Sequence, residues 1–551
     1  MTARVIEIIN GGLKFSSAAR SNVHGWSYPY KTVTFMHNCL SIPEITSTIF
    51  GYLLYEYDAR EYKQILQRRH LLALLKTCRT FYHPALALLW SVLYSPAPLL
   101  LTMPEDLVEL GTGTPPLTIR FKRHVVHSDW NRFDFHALFV KELAEGFEEH
   151  DRAFTGYFLL FTEVCNELRR RDSVLLPNLK TLKATSGNGF AYAPAFLKPP
   201  LQHLHLYVHS NHILSLIQFL IYLPRDAPFL KSLHMQQSRT PWHDDSIRLI
   251  NDNIHTTLLR DLNLEEFVCS WLPLTDDTTQ HLLSMPALRS MTIRKDAPTL
   301  VRILHSQPMH TPQITTLNIH CDVMNDGQNS LASVLALFLP SKLTTFRVTS
   351  KTTVYGTSEL SELLRAVGTH CSPKLLTEII LNRSEIEHDP VGDKAIVDLQ
   401  MIQPLLPFSN LRKVCLPNQP FSLTDAEVKT LAMSWPHIED FCFDNEGPAI
   451  LEPRTTLRGM LWFAIYCREL QSLTFNFTDT AGNKVVLSQE EIDRAAGHRL
   501  RFLTVGHSLI DDPRTVSSFL NRVFSKLSVL EYTYGNDING ERWSEVQAQL
   551  H

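Results

Sequence analysis

A short apolar pattern recurs through most of this 551-residue chain and constrains its fold more than any other feature. From Leu179 onward, an apolar residue is followed after two positions by a second, and after one more by a third. The pattern stands at Leu179-Leu182-Ala184, Leu201-Leu204-Leu206, Leu230-Leu233-Met235, Leu264-Phe267-Cys269 and Leu288-Met291-Ile293. It continues at Ile314-Leu317-Ile319, Leu343-Phe346-Val348, Leu376-Ile379-Leu381 and Leu411-Val414-Leu416. The last four copies are Ile438-Phe441-Phe443, Leu470-Leu473-Phe475, Leu500-Leu503-Val505 and Leu527-Leu530-Tyr532. A strand alternates its faces with a period of two, so i+3 and i+5 point to one side, and i+2, i+4 and i+6 to the other. A unit this small buries its apolar face only against its neighbours, so the copies must stack.

Successive copies start on average 29 residues apart, the upper end of the period of leucine-rich repeats, whose unit is a strand plus a return helix or loop. Return helices are predicted from Ser330 to Phe338 and from Thr424 to Leu431. The asparagine or cysteine that regular repeats carry three residues after the last leucine is missing. Gly187, His209, Ser238, Asp296 and Asp322 stand there in some copies. Without that buried ladder the horseshoe is expected to be irregular. The predicted class is α/β, with a small three-helix head ahead of an irregular leucine-rich repeat solenoid over residues 176–551.

The remaining readings are mostly exclusions. A chain that is 44% hydrophobic and 20% charged can bury a large core. A formal charge of −4 argues against nucleic acid as an obligate partner. Nine cysteines without a CxxC pair read as buried thiols in a reducing compartment, so a cytoplasmic or nuclear setting is expected. No apolar run approaches the length of a membrane helix. With no signal peptide, the glycosylation-type triplets at Asn382 and Asn476 read as accidental. Walker, GxSxG and HExxH motifs are absent, so no enzyme and no cofactor is expected. His203, His205, His209 and His212 lie close together, but no carboxylate or cysteine is near them in sequence, and no metal site is assigned. Residues 1–35 read as a disordered leader, a presequence, or a stretch upstream of a true start at Met36.

Ordered structure is predicted from residue 36, with a head reaching to residue 95. Ser41 can cap a helix in which Pro43 takes the first turn, Glu44 reaches back, and Ile45, Ile49, Tyr52 and Leu53 share a face. Leu71, Leu74, Leu75, Cys78, Phe81 and Tyr82 form a second helical stripe. Pro84 is predicted to break the chain, before a third stripe of Ala85, Leu88, Leu89, Val92 and Leu93 that Pro96 and Pro98 end. Three helices in so short a segment leave apolar surface over, which means either a partner or a cap on the solenoid. Periodicity leaves both open.

These residues resemble an F-box: Ile42-Pro43-Glu44-Ile45, Ile49 and Leu53, Leu71 to Leu75, Cys78 to Phe81, and Leu88 to Trp90. The variety found in mushroom-type (basidiomycete) fungi is the most similar, and the match covers about a tenth of the chain. The resemblance implies docking onto a Skp-type adaptor and through it a cullin–RING ubiquitin ligase. The implied adaptor contacts are Ile42, Pro43, Glu44, Ile45, Ile49, Leu53, Leu74, Leu75, Cys78 and Phe81. The connection from Glu56 to Arg69 is longer and more charged than a compact F-box requires.

Residues 96–175 read as a bridge. A strand is predicted over Leu117–Phe121, a helix from Asp129 toward Leu143, and another over Phe158–Leu168 ending in three arginines. The Asp129-Trp130-x-x-Phe133 arrangement also resembles the fungal group. Repeat proteins bind through their concave face, so the outward strand positions are the candidate substrate contacts. They are His203, His205, Tyr207, His234, Arg294, His320 and Arg347, then Asp440 and Asp444, with Glu378 and Glu531 adding to an acidic far end. The reading is a substrate-recognition subunit of an SCF-type ligase with an unknown protein substrate. The alternative is a repeat-based interaction scaffold without a ligase role.

Overall fold

The computed structural model describes residues 40–550 apart from 41, 59–62, 67, 112–116, 145–157, 186–187, 199, 210–211, 238–243, 255–261, 307–312, 324–329, 339–341, 351–355, 384–395, 417–420, 444–452, 481–487 and 534–537. The proposed leader, the Ser41 cap and Asp444 lie outside the described residues. The chain divides into two compact units, residues 1–264 and 265–551.

Each of the thirteen apolar copies has its second apolar position on a strand, and all three of its apolar positions are buried. In the N-terminal unit the parallel strands Val92–Leu93, Glu142–Ala144, Thr181–Thr185, His203–Val208 and Ser232–Gln237 pair in chain order. The register puts Leu93, Leu143, Leu182, Leu204 and Leu233 in one line. In the C-terminal unit ten parallel strands, from Glu266–Pro273 to Val529–Glu531, are described in the same order. There the line runs Phe267, Met291, Leu317, Phe346, Ile379, Val414, Phe441, Leu473, Leu503, Leu530. Helices such as Leu331–Leu337, Thr357–His370 and Asp425–Ser434 return the chain between strands. The last is closed by a capping box in which Thr424 and Glu427 bond each other's backbone N–H. The stacking of identical positions is how a repeat solenoid buries faces that no single unit could.

A second regularity was not foreseen in the sequence. The carbonyl of residue i+1 in one copy accepts both the i+1 and the i+2 N–H of the next. Lys141, Lys180 and Gln202 do this in the N-terminal unit. Glu265, Arg289, Thr315, Thr344, Thr377, Arg412, Glu439, Gln471 and Arg501 do it in the C-terminal unit. Three consecutive threonines add their hydroxyls, with Thr315, Thr344 and Thr377 each donating to the previous carbonyl at 3.0–3.1 Å. At the position where regular repeats keep asparagine, Asp296 accepts the backbone N–H groups of Asp322 and Val323. The missing ladder is therefore replaced by local bonds of different kinds. Asp425 does similar work further along, accepting Thr456 N–H at 2.8 Å.

The head differs from its predicted form in three places. Its helices are α1 (Pro43–Leu54), α2 (Arg68–Leu75) and α3 (Arg79–Ser91). The break falls at residues 76–78, and Pro84 sits inside α3, where it is buried, as are Ala85, Leu86, Leu89 and Trp90. That packing outweighs the backbone bond the proline forfeits. The third stripe also stops early, because Val92 and Leu93 leave the helix and begin the parallel sheet. The charged connection between α1 and α2 contains an antiparallel hairpin, Tyr55–Asp58 with Lys63–Leu66.

In the bridge, the strand Leu117–Phe121 is present and pairs with Val108–Leu110 and Phe158–Leu160. The helix beginning near Asp129 ends at Ala137, and Leu143 lies on a strand of the repeat sheet. The helix predicted over Phe158–Leu168 begins only at Thr162, after the strand Phe158–Leu160. Asp129 is buried, accepts both Arg123 Nη1 (2.7 Å) and Nη2 (2.9 Å), and takes the Val126 N–H. The Arg123 guanidinium holds its carboxyl below the usual range. Arg171 lies over the Trp130 ring at 4.5 Å and grips Asp134 with both nitrogens, so the last arginine of the basic triplet is structural.

Candidate functional site

Two surfaces of the chain carry the residues singled out in the sequence. The first is on α1. This helix packs inward through Thr46 and Phe50, and the Phe50 ring meets Phe81 edge-on at 5.1 Å. Thr46 Oγ1 donates to Ile42 O at 2.8 Å, with Leu40 O also within reach at 3.1 Å, which ties the helix start. The adjoining flank is exposed: Ile42 is 43% exposed, Ile45 39%, Ile49 40% and Tyr52 80%. These positions are spaced i, i+3, i+7 and i+10, which places them along one face of a helix. Pro43 and Glu44 are exposed beside them, as is Cys78 at the turn before α3.

The rest of the implied adaptor set is placed differently. Leu74 and Leu75 are half-buried, and Phe81 is half-buried as the partner of Phe50 in the head's own core. Leu53 belongs to α1. Tyr82, which was not among the implied contacts, is 43% exposed. Arg68, at the start of α2, is buried, donates to Val92 O at 2.5 Å and lies over the Tyr94 ring at 5.2 Å. The head is thus pinned to the first strand of the sheet behind it.

The second surface is the outward side of the strands. In the N-terminal unit His203, His205, Tyr207 and His234 all stand on it, half-buried. The His205 and His234 rings are register neighbours with centroids 4.2 Å apart, and Tyr207 meets His209 edge-on at 5.3 Å. His212 is off the strand, just before helix Ile213–Asp226. In the C-terminal unit Arg294, His320, Arg347 and Asp440 face outward. Their charges are matched locally. Arg294 pairs with Asp322 at 2.5 Å, Arg347 with Glu378 at 3.7 Å, and Lys413 with Asp440. Cations and anions therefore alternate between neighbouring strands, and the expected run from a basic end to an acidic end is not what these pairs leave. Ser232, Thr292 and Ile380 also occupy outward positions yet are buried, so that side is not uniformly open to a partner.

Among the described residues no group of three or more His, Cys, Asp or Glu could hold a metal. No helix among them is long and apolar enough to cross a membrane. Cys165, Cys269, Cys321, Cys371 and Cys467 are buried. Burial pushes the Cys269 and Cys321 thiols up to about 12, which keeps them protonated and unreactive near neutral pH.

No model of a protein family matches the sequence, and no curated protein matches it. Among solved structures, a crystal structure of a Rad7 and Elc1 complex in yeast aligns with it at a TM-score of 0.30 and 13% identity, covering 69% of this chain and 85% of that chain. The overlap is too loose to transfer a contact or a partner.

Proposed function

We propose that this chain is the substrate-recognition subunit of an SCF-type cullin–RING ubiquitin ligase. In this reading the head is an F-box that docks a Skp-type adaptor. The parallel repeats are a leucine-rich solenoid that holds a protein substrate. Transfer chemistry belongs to the other subunits, and this chain acts by bringing the substrate within their reach.

The observation that carries the reading is the bare apolar face of α1. Ile42, Ile45, Ile49 and Tyr52 remain in water although the same helix buries Thr46 and Phe50. Ile42, Ile45 and Ile49 are among the residues whose order resembles an F-box. A contiguous apolar face on so small a unit is the mark of a docking site.

A scaffold without a ligase role has one observation in its favour. The end of α3 runs directly into strand Val92–Leu93, and Arg68 bonds that strand, so the head also serves to close the sheet. Co-purification separates the two. Full-length wild type should recover a co-expressed Skp-type adaptor, and Ile45→Asp/Ile49→Asp should recover less than about a tenth as much. Both residues are about 40% exposed, and a circular-dichroism melt of the variant checks that the fold survives the change. Equal recovery by the two proteins, or recovery by neither, would leave the scaffold reading standing instead.

A further inference from the structure

We propose that the helical side of the N-terminal unit holds a separate groove that docks an acidic peptide segment of a partner protein. The groove lies between helices Thr162–Arg170, Asn188–Tyr192 and Ile213–Asp226 and encloses about 520 Å³. Arg169, Phe190, Lys198, Tyr222, Arg225 and Asp226 line it. It shares no residue with the α1 face or with the outward strand positions.

Its charge is the first argument. Three cations face one carboxylate, that of Asp226, which is held by Arg225 Nε at 2.9 Å. The other two are steered by neutral acceptors. Arg169 Nη2 donates to Ala191 O at 2.5 Å, and Lys198 Nζ donates to the carbonyls of Arg171 and Asp172 at 3.3 and 3.2 Å. A carbonyl positions a cation without cancelling its charge, so the groove keeps an excess of two positive charges. A concave wall also concentrates that field at its opening.

The apolar surface beside it is the second argument. Phe190 and Phe219, both buried, stack on each other at 5.5 Å and form a firm floor under the groove. Along the exposed flank of helix Ile213–Asp226, Leu214 is 72% exposed, Ile221 44% and Tyr222 53%, and Phe229 follows at 66%. On this helix the lining runs from Ser215 to Asp226, roughly 16 Å, with its charged residues at the Arg225–Asp226 end. An extended segment of about five residues covers that length. Alternating side chains can then set carboxylates against the cations and apolar groups against Leu214, Ile221 and Tyr222. A peptide uses both features, whereas a small anion would use only the first. The proposal holds whether or not the chain joins a ligase.

The test uses the full chain without any adaptor. The probes are two fluorescein-labelled hexapeptide pools, one alternating Asp or Glu with Leu, Phe or Tyr, the other with Asn or Gln in place of the acids. Anisotropy should show the acidic pool binding at least about tenfold tighter at low salt, with the advantage shrinking as salt rises. Arg225→Glu should remove most of that advantage. This side chain is 78% exposed, so the fold is not at stake. Arg412→Glu, at a half-exposed cation in the other unit, should leave it unchanged. Equal binding of the two pools, or an Arg225→Glu variant that binds like wild type, would overturn the proposal. Loss of binding on Arg412→Glu to the same extent as on Arg225→Glu would do so as well, since it would show only attraction to net charge.

Discussion

His498 shows how little a single position reveals until its surroundings are known. In sequence it is a histidine between Gly497 and Arg499, the kind of triplet an exposed turn contains. In the structure its ring is buried against Phe524, edge-on at 5.5 Å. Nε2–H donates to Cys467 O at 2.8 Å, and Nδ1 accepts the Leu500 N–H at 3.1 Å. Gly497, at φ +72°, makes the turn that lets the ring enter. Both ring nitrogens are used by the neutral form, and a second proton would face the Leu500 N–H. Burial accordingly lowers its pKa from the ordinary 6.5, with Arg468 adding to the effect. The unfolded chain then binds its proton first as pH falls. Stability from this residue is whole above about pH 6.5 and is lost progressively below it. Urea unfolding between pH 7.5 and 5.5 should show wild type losing stability over this window. His498→Gln should start about 1–2 kcal/mol lower and lack that component of the loss. A variant with the same pH slope as wild type would mean that other groups set it.

At the scale of the element, period-two alternation was readable because burial repeats it. Every one of the thirteen patterns found by counting places its second position on a strand, and within each unit these positions pair in one line. The two earlier strands escaped because their patterns are truncated. Trp90-Leu93 and Val140-Leu143 supply the first two apolar positions, but Ser95 and Glu145 stand at the third. The proline in α3 misled for the opposite reason, since a local rule was overridden by tertiary packing around Pro84. The threonine ladder had a visible signal, namely Thr315, Thr344 and Thr377 at the same position of three consecutive copies. Its meaning depended on knowing that the preceding carbonyl lies within reach. Replacing Thr344 by Val keeps the shape and removes the hydroxyl bond, so it should cost about 1 kcal/mol by urea unfolding. The same change at Thr349, an outward position on the same strand with no hydroxyl bond to a preceding carbonyl among those described, should cost less. Equal costs at the two sites would remove the ladder from the account.

For the whole molecule, the sheet in each unit was legible as an architecture, while the candidate surfaces were legible only as lists of residues. The sequence placed Ile45 and Ile49 on one face, yet only the packed helix shows that this face is the one turned outward. Phe81 illustrates the reverse, a residue of the same implied set that is half-buried against Phe50. On the strands, the outward residues were found by counting, but which of them pair, such as Arg347 with Glu378 and Lys413 with Asp440, depended on how neighbouring copies lie side by side. The central claim is that the bare face of α1 receives a Skp-type adaptor. Hydrogen exchange of the full chain, alone and with saturating adaptor, tests it most directly. The account predicts slower exchange across residues 43–54 when the adaptor is present, with the strands from Thr316 to Arg383 unchanged. Exchange in 43–54 that does not respond to the adaptor, or protection confined to the strands, would contradict it.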